Sequence, residues 1–156
     1  MREELEREYT EYFQARLPQL RRLAAALCGD AHRGDDVVQA AVTTLYVRWK
    51  HIRGVDNLDA YVRRSVVNAF LSARRRPWAR VALTDALPDR PAEPGQPADE
   101  RLVLRAAVRR LPHRQQAVVV LRFVCDLPVA EVAALLGCAE GTVKSQTAEA
   151  LAALRP

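Results

Sequence analysis

The chain is poor in the residues on which catalytic, metal-binding and secreted proteins depend. Its three cysteines, Cys28, Cys125 and Cys138, are an odd number with no C-x-x-C pair, which argues against a disulfide framework and a zinc ribbon. Cys28 and His32 could form half of a metal site, but a buried thiol is favoured because no second ligand pair lies nearby. The three histidines are scattered, and no Walker loop or nucleophile elbow is present. An enzyme is therefore the poorest interpretation, and we expect no cofactor and no metal.

Long apolar runs are also missing. No stretch approaches the roughly 20 apolar residues that a membrane-spanning helix needs. The N-terminus, MREELEREYTEYF, is charged where a signal peptide would be apolar. We therefore expect a soluble, cytoplasmic protein without membrane contact. With 156 residues, of which 49% are hydrophobic, the chain can form one domain or two small ones.

Charge and proline divide the chain into three parts. Residues 1–78 carry a net charge of +4, residues 79–99 carry −2 and residues 100–156 carry +3. The middle part has a proline at every third position from Pro88 to Pro97 and no sustained apolar period, which predicts an extended linker. We expect two tethered domains, residues 1–78 and 100–156, joined by this linker.

Apolar periodicity predicts helices in both domains, and no strand-like alternation competes with it, so we expect an all-α fold. In the first domain, residues 17–27 predict one helix that Gly29 closes, and residues 60–76 predict another. The helix between them has Asp35 and Asp36 at its predicted start. Its apolar seam consists of Val38, Val42, Leu45, Trp49 and Ile52.

The stretch 127–154 predicts a helix-turn-helix. An apolar face precedes Gly137, which suits the left-handed end of a helix, and a second apolar stripe follows it. The first face is Val129, Val132, Ala133 and Leu136, and the second is Val143, Thr147, Ala150, Leu151 and Leu154.

Polar side chains crowd the start of the second of these helices. They are Glu140, Thr142, Lys144, Ser145 and Gln146. Short hydroxyl and amide groups can reach base edges in the major groove, and lysine can neutralise a phosphate. This layout favours DNA binding over the alternative, an amphipathic hairpin with a solvated outer face.

A second basic region, residues 48–80, holds nine basic residues against two acids. Trp49, Tyr61 and Trp78 are interleaved with them. Cations that hold phosphates and rings that stack on bases suit single-stranded or opened nucleic acid. The alternative is a solvated charged face with the rings in the core. For Trp49 this alternative is at least as well supported as stacking on bases, because the residue lies on the apolar seam.

The longer motifs resemble one bacterial family. GDAHRGDDVVQAAVTTLYVRWKHI and NLDAYVRRSVVNAFLSARRRP resemble region 2 of an extracytoplasmic-function (ECF) sigma factor of the sigma-70 family, and LPHRQQAVVVLRFVCDLPVAEVAALLGCAEGTVKSQTAEALAALR resembles region 4. GTVKSQT is similar to the SigE-like subgroup. The resemblance implies a subunit without chemistry of its own that binds core RNA polymerase and directs initiation at promoters with minus-10 and minus-35 elements. It also implies contacts with the polymerase β′ clamp helices and β flap, and raises an anti-sigma factor as a further partner.

For region 2, the resemblance assigns docking on the β′ clamp helices to Asp35, Asp36 and Gln39. Asp36 and Gln39 are three residues apart and share a helix face, which suits this role. The alternative for the two aspartates is capping of the helix N-terminus, and both roles can hold together.

The following segment corresponds to the part of the family that opens the promoter and captures a flipped minus-10 base. The matching positions are Lys50, Arg53, Asn57, Tyr61, Arg64 and Asn68. Asparagine can pair with a base edge, tyrosine can pack on a flipped ring and arginine can hold its phosphate. Tyr61 stands where many relatives carry tryptophan. A tyrosine ring can still stack on the flipped base, but it changes the shape of the pocket that receives this base. The alternative for Asn68 is a buried amide that ties down the preceding loop.

For the minus-35 element, the resemblance assigns DNA binding to Thr142, Lys144, Ser145 and Gln146. Family members commonly present further arginines after this segment, whereas this chain has Glu149. Its carboxylate repels phosphate unless it points away or pairs with Arg155. Ala139 lacks the side-chain oxygen usual at a helix N-cap, which weakens the helix start by roughly 1 kcal/mol.

Two other functions remain open from the sequence. The chain could be a helix-turn-helix transcription regulator with a helical partner-binding domain, or a decoy that binds polymerase without reading a promoter. Neither would open duplex DNA or support transcription by added core polymerase.

Overall fold

The computed structural model describes residues 2–73 and 98–155, and every regular element within them is a helix. The all-α class is therefore confirmed. The chain forms two compact units: α1, α2, α3 up to Phe70 and the stretch Ala134–Gly137 belong to the first, and α4, α5, the start of α6 and α7 belong to the second. The helices are α1 Arg2–Cys28, α2 Ala31–Ile52, α3 Leu58–Ala73, α4 Ala98–Arg109, α5 His113–Val119 with a π-helical continuation Val120–Val124, α6 Val129–Leu136 and α7 Glu140–Leu154.

The predicted linker, residues 79–99, lies outside the described residues except for its last two, which belong to α4. The end of the predicted third helix, residues 74–76, and the ring of Trp78 also lie outside them. The domain limits 1–78 and 100–156 stay a prediction. None of the helices in the described ranges is long and apolar enough to cross a membrane.

In the first unit, α1 packs against α2 around a predicted apolar core. Leu20, Ala24 and Leu27 of α1 are buried, and so are Leu45 and other seam residues of α2. The two helices lie close together at Gly34, where an added Cβ would lie 2.7 Å from the backbone nitrogen of Ala25. Only glycine fits there without moving a backbone, so Gly34 allows the contact between α1 and α2.

Helix α1 is longer than its apolar pattern predicts, because it begins at Arg2. Its first ten residues are mostly glutamate and arginine, which form helices well but carry little apolar periodicity. The end was predicted correctly, since Gly29 follows Cys28 with a φ of 70°. Cys28 is buried while His32 is exposed on α2, which fits the interpretation as a buried thiol.

The start of α2 was predicted too late in the chain. The helix begins at Ala31, and the side chain of Asp30 caps it by accepting a hydrogen bond from the His32 backbone nitrogen at 3.0 Å. Asp35 and Asp36 lie in the second turn of the helix. The interpretation of these two aspartates as the helix cap is therefore wrong, since Asp30 fills that role.

Trp49 belongs to the core of the first unit. Its ring is only 6% exposed and lies 5.5 Å from Tyr9, 5.6 Å from Tyr12 and 6.1 Å from Phe13, measured between ring centroids. Aromatic contacts of this geometry stabilise a core beyond the area that they bury. The core alternative is therefore correct for Trp49, and this ring offers no platform for a base.

Helices α6 and α7 form the predicted helix-turn-helix. Gly137 takes a φ of 67° after α6, and the Cys138 backbone nitrogen donates to the Ala133 carbonyl, which closes the helix. Ala139 precedes α7 without a capping side chain, as predicted. The predicted stripe is correct at Val143 and Ala150, which are fully buried, but not at Leu151, which is 41% exposed.

Candidate functional site

The outer side of α2 presents an acidic and polar stripe. Asp35, Asp36 and Gln39 are all exposed. The Arg21 guanidinium approaches Asp35 only to 3.9 Å, and both side chains remain more than half exposed, so this ion pair is weak. Asp36 and Gln39 continue along the helix into Thr43 at spacings of three and four residues, which keeps these side chains on one face.

Sequence reasoning missed an apolar residue on this stripe. Val47 follows Thr43 by four residues and is 77% exposed. A buried seam that runs through Leu45 and Trp49 leaves Val47 on the opposite side of the helix, which is the signal that could have identified it. Val47 adds apolar area to the polar stripe that a partner could bury.

The loop between α2 and α3, residues 53–57, is held at each of its ends. The Arg53 backbone nitrogen donates to the Trp49 carbonyl, and its guanidinium nitrogen Nη2 lies 2.9 Å from Glu8 Oε1. At the other end, Asn57 Oδ1 accepts a hydrogen bond from the Ala60 backbone nitrogen at 3.1 Å and caps α3. Arg53 and Asn57 therefore both have structural partners, and the Asn57 amide nitrogen remains a donor.

Helix α3 places three of the predicted DNA-binding residues on one side. Tyr61, Arg64 and Asn68 are three and four residues apart, and Asn57 precedes Tyr61 by four. Arg64 and Asn68 are exposed, whereas Tyr61 is half-buried. The alternative that Asn68 is a buried amide is therefore wrong. Lys50 is also exposed and lies near the end of α2.

Asp59, in the first turn of α3, joins two side chains of α1. Its Oδ1 accepts hydrogen bonds from the Tyr12 hydroxyl and from Arg16 Nε, the latter at 2.6 Å. The bond from Tyr12 is the largest cause that lowers the pKa of Asp59, and Arg16 and Arg63 lower this pKa further. Burial, followed by the bond to Asp59, raises the pKa of Tyr12 above its ordinary value of 10.0. Asp59 therefore stays ionised and Tyr12 stays protonated, so that the tyrosine hydroxyl can donate to the carboxylate.

Ionised Asp59 should stabilise the first unit in a pH-dependent way. Because its pKa in the folded chain lies below the ordinary 3.8, the stabilisation is complete above that value and is lost as pH falls through the folded pKa. We expect Asp59→Asn to reduce the free energy of unfolding by about 1 kcal/mol at neutral pH, since the pair is partly exposed. Urea unfolding should show this difference shrink as the pH falls below 3.8 and vanish at pH values below the folded pKa. A difference that persisted there would contradict the ionic origin.

The start of α7 exposes Thr142, Lys144 and Ser145, as the sequence predicts. The Ser145 hydroxyl donates to the Gly141 carbonyl at 2.8 Å, which leaves its oxygen able to accept. Gln146 departs from the expectation, because its side chain is half-buried and its Oε1 is buried without a hydrogen-bond donor. Of the two polar groups of the side chain, only the amide nitrogen of Gln146 is therefore available to a base edge, and the DNA contact of Gln146 stays a prediction.

Glu149 has a partner that the sequence did not predict. Gln115 of α5 donates from Nε2 to Glu149 Oε2 at 3.2 Å. Pairing with Arg155, the predicted alternative, does not occur. The hydrogen bond turns the carboxylate toward α5, but because glutamine is neutral the negative charge remains.

Comparisons with known proteins agree with these features. The family described as sigma-70, region 4 matches residues 101–154, and the sigma2 domain of PhyR matches residues 13–60. The RNA polymerase sigma-E factor of Streptomyces coelicolor is 36% identical over 150 residues, which cover 95% of this chain and 84% of that protein. The ECF RNA polymerase sigma factor SigM of Mycobacterium tuberculosis is 33% identical over 150 residues, which cover 94% of this chain and 74% of that protein.

A solved structure has the same fold. The sigma factor RpoE from Bartonella quintana, in complex with the anti-sigma factor NepR, aligns with a TM-score of 0.67 over 94% of each chain, at 24% sequence identity. The helical unit with its acidic stripe and the helix-turn-helix unit thus define a protein of the sigma-70 family. Within it, the chain belongs to the ECF sigma factors, the promoter-specificity subunits of RNA polymerase.

Proposed function

We propose that this sigma factor uses three separate surfaces to bring core RNA polymerase to a promoter. The outer side of α2 docks on the β′ clamp helices, the α2–α3 loop and α3 capture the opened minus-10 element, and α7 reads the minus-35 element. The protein acts in the cytoplasm and catalyses no reaction itself. The observation that carries this proposal is that α2 and α3 of one unit present both an exposed acid–amide stripe and a polar, basic stripe.

The docking surface is proposed to consist of Asp35, Asp36 and Gln39, extended by Val47. Exposed carboxylates favour a basic partner, and Val47 adds apolar area that a partner helix would bury. The stripe lies on the outer side of α2, so a partner can bind it while the apolar seam of α2 stays packed in the core. Docking therefore requires no rearrangement of the unit.

The minus-10 surface is proposed to consist of Lys50, Asn57, Tyr61, Arg64 and Asn68. Exposed Arg64 and Asn68 can reach a phosphate and a base edge, while half-buried Tyr61 presents a ring that can pack on a flipped base. Arg53 is not included in this surface, because Glu8 binds its guanidinium and the side chain helps to hold the loop.

The minus-35 surface is proposed to consist of Thr142, Lys144, Ser145 and the amide nitrogen of Gln146. A domain that carries this surface would also contact the β flap, as in the family that the chain resembles. Glu149 is turned toward Gln115, so its charge weakens the surface less than a carboxylate directed at the phosphates would.

Two binding measurements separate this function from its alternatives. We would label the chain fluorescently and titrate it with core polymerase alone, with promoter DNA alone and with both. A sigma factor should bind core tightly and DNA strongly only in the presence of core. A decoy would bind core and gain no DNA affinity, whereas a regulator would bind DNA equally well without core.

Lys144 should contribute affinity without sequence preference. Its replacement by alanine removes one phosphate contact, so the slope of log affinity against log salt should fall by about 0.9 for every promoter. Holoenzyme binding to a promoter series over a range of salt measures this slope. Arg155→Ala is the matched control, because it removes an exposed cation at the opposite end of α7 and should leave the slope unchanged. Equal slopes for Lys144→Ala and wild type would remove Lys144 from the DNA surface.

A further inference from the structure

Three polar side chains of α1, spaced four residues apart, bind residues at the two ends of the α2–α3 loop. They are Glu8, Tyr12 and Arg16. We propose that this set, the α1 brace, fixes the loop in the conformation that captures the opened minus-10 strand, so that its members are positioning residues for promoter opening. The inference rests on the proposed function of the loop and α3.

The brace holds the start of the loop through a single ion pair. Glu8 Oε1 lies 2.9 Å from Arg53 Nη2, and the Arg53 backbone also closes α2 on the Trp49 carbonyl. The backbone and the side chain of one residue are therefore both fixed. Glu8 binds one nitrogen of the guanidinium, so in this proposal Arg53 acts as an anchor of the loop, whereas the sequence suggests a DNA contact.

The brace holds the other end of the loop through Asp59. Tyr12 and Arg16 both donate to the same carboxylate oxygen, and the Arg16 guanidinium also lies 4.0 Å from the centroid of the Tyr12 ring. Tyr12 is itself fixed, because its ring packs on Phe13 and Trp49. A half-buried ring that packs on the core therefore sets the position of the first turn of α3, directly beside Asn57 and Tyr61.

The residues between these anchors have little packing of their own. All five loop residues are exposed, and a Cβ added to Gly54 would meet no atom within 4 Å. The path of the loop therefore depends on the ends to which it is tied, on the Asn57 cap and on one backbone hydrogen bond, from the Val55 nitrogen to the Ile52 carbonyl at 3.0 Å. Loosening either anchor should let the loop sample conformations that do not accept the strand, which lowers the rate of capture in proportion to the lost population.

The test compares two tyrosines of the same helix. Tyr12→Phe removes the hydroxyl that binds Asp59, whereas the control Tyr9→Phe removes a hydroxyl that binds the Val42 carbonyl of α2 at 2.8 Å and leaves the loop untouched. Glu8→Gln weakens the other anchor. With full-length chain, core polymerase and a promoter that carries 2-aminopurine in the minus-10 element, we expect Tyr12→Phe and Glu8→Gln to slow opening about fivefold at unchanged closed-complex affinity. Tyr9→Phe should open at the wild-type rate.

A charge exchange gives a second readout. The Glu8→Arg/Arg53→Glu double variant restores the ion pair with its direction reversed, so its opening rate should exceed that of either single variant. If Arg53 instead binds DNA and Glu8 competes for it, Glu8→Gln would speed opening and the double variant would open more slowly than Glu8→Arg. Either result would overturn the brace, as would equal slowing by Tyr9→Phe and Tyr12→Phe.

Hydrogen exchange separates failure of the inference from failure of the proposed function. In the free chain, Tyr12→Phe should speed exchange of the hydrogen-bonded amides of Val55, Ala60 and Tyr61 about fivefold, and Tyr9→Phe should not. A wild-type chain that opens no promoter, combined with this exchange difference, would reject the proposed function and leave the brace as a loop anchor. A wild-type chain that opens promoters, combined with equal exchange in both variants, would reject the brace alone.

Discussion

The Asp36→Ala/Gln39→Ala double variant should bind core RNA polymerase at least about tenfold more weakly than wild type, because the loss of roughly 1.4 kcal/mol of polar contacts changes affinity by that factor. Both side chains are exposed on α2 and neither supports the fold, since Asp30 caps the helix. Fluorescence anisotropy of labelled chain against core polymerase measures the affinity. Circular dichroism should show unchanged helical content.

The matched control is Glu11→Ala/Gln14→Ala, which removes an acid and an amide at the same spacing from the exposed surface of α1. It should bind core polymerase as wild type does. Wild-type affinity in the α2 variant would move the docking surface elsewhere. An equal loss in both variants would indicate a general effect of charge, without a specific surface.

Asn68→Ala and Tyr61→Ala should each reduce the yield of open complexes at least about tenfold while closed complexes change by less than about twofold. These residues are proposed to act on the strand only after it leaves the duplex, so their loss affects opening and spares initial binding. Permanganate reactivity of unpaired thymines measures open complexes, and gel mobility at low temperature measures closed ones.

The two substitutions differ in their risk to the fold. Tyr61 is half-buried, so its removal can also lower stability, whereas Asn68 is exposed. Asn68→Ala therefore decides the prediction, with exposed Gln19→Ala on α1 as its control. Permanganate patterns of wild-type strength in both the Asn68 and Tyr61 variants would exclude this side of α3 from strand capture.

The helices that pack through regular apolar stripes were predictable from the sequence. The seam of α2 and the helix-turn-helix of α6 and α7 have apolar residues at three- and four-residue spacing, most of which the fold buries. The start of α1 was not predictable in this way, because its first turns carry charge in place of an apolar period. The start of α2 was assigned to the wrong aspartates, since capping depends on backbone conformation at Asp30 that the charge pattern does not reveal.

The candidate surfaces were predicted as sets of residues, but their internal contacts were not. Arg53 binds Glu8 across 45 residues of sequence, and Tyr12 binds Asp59 across 47. Such pairs depend on how α1 lies on the rest of its unit, which a local pattern cannot give. The half-buried position of Gln146 was missed for a related reason, because one polar residue on a helix does not reveal how far the apolar face extends around it.

The most direct test is transcription in vitro with purified core RNA polymerase, the full-length chain and a library of promoter fragments. We expect discrete transcripts from a subset of fragments that share minus-10 and minus-35 sequences, and no such transcripts when the chain is omitted. Core polymerase that binds the chain yet starts no specific transcript from any fragment would contradict promoter-directed initiation.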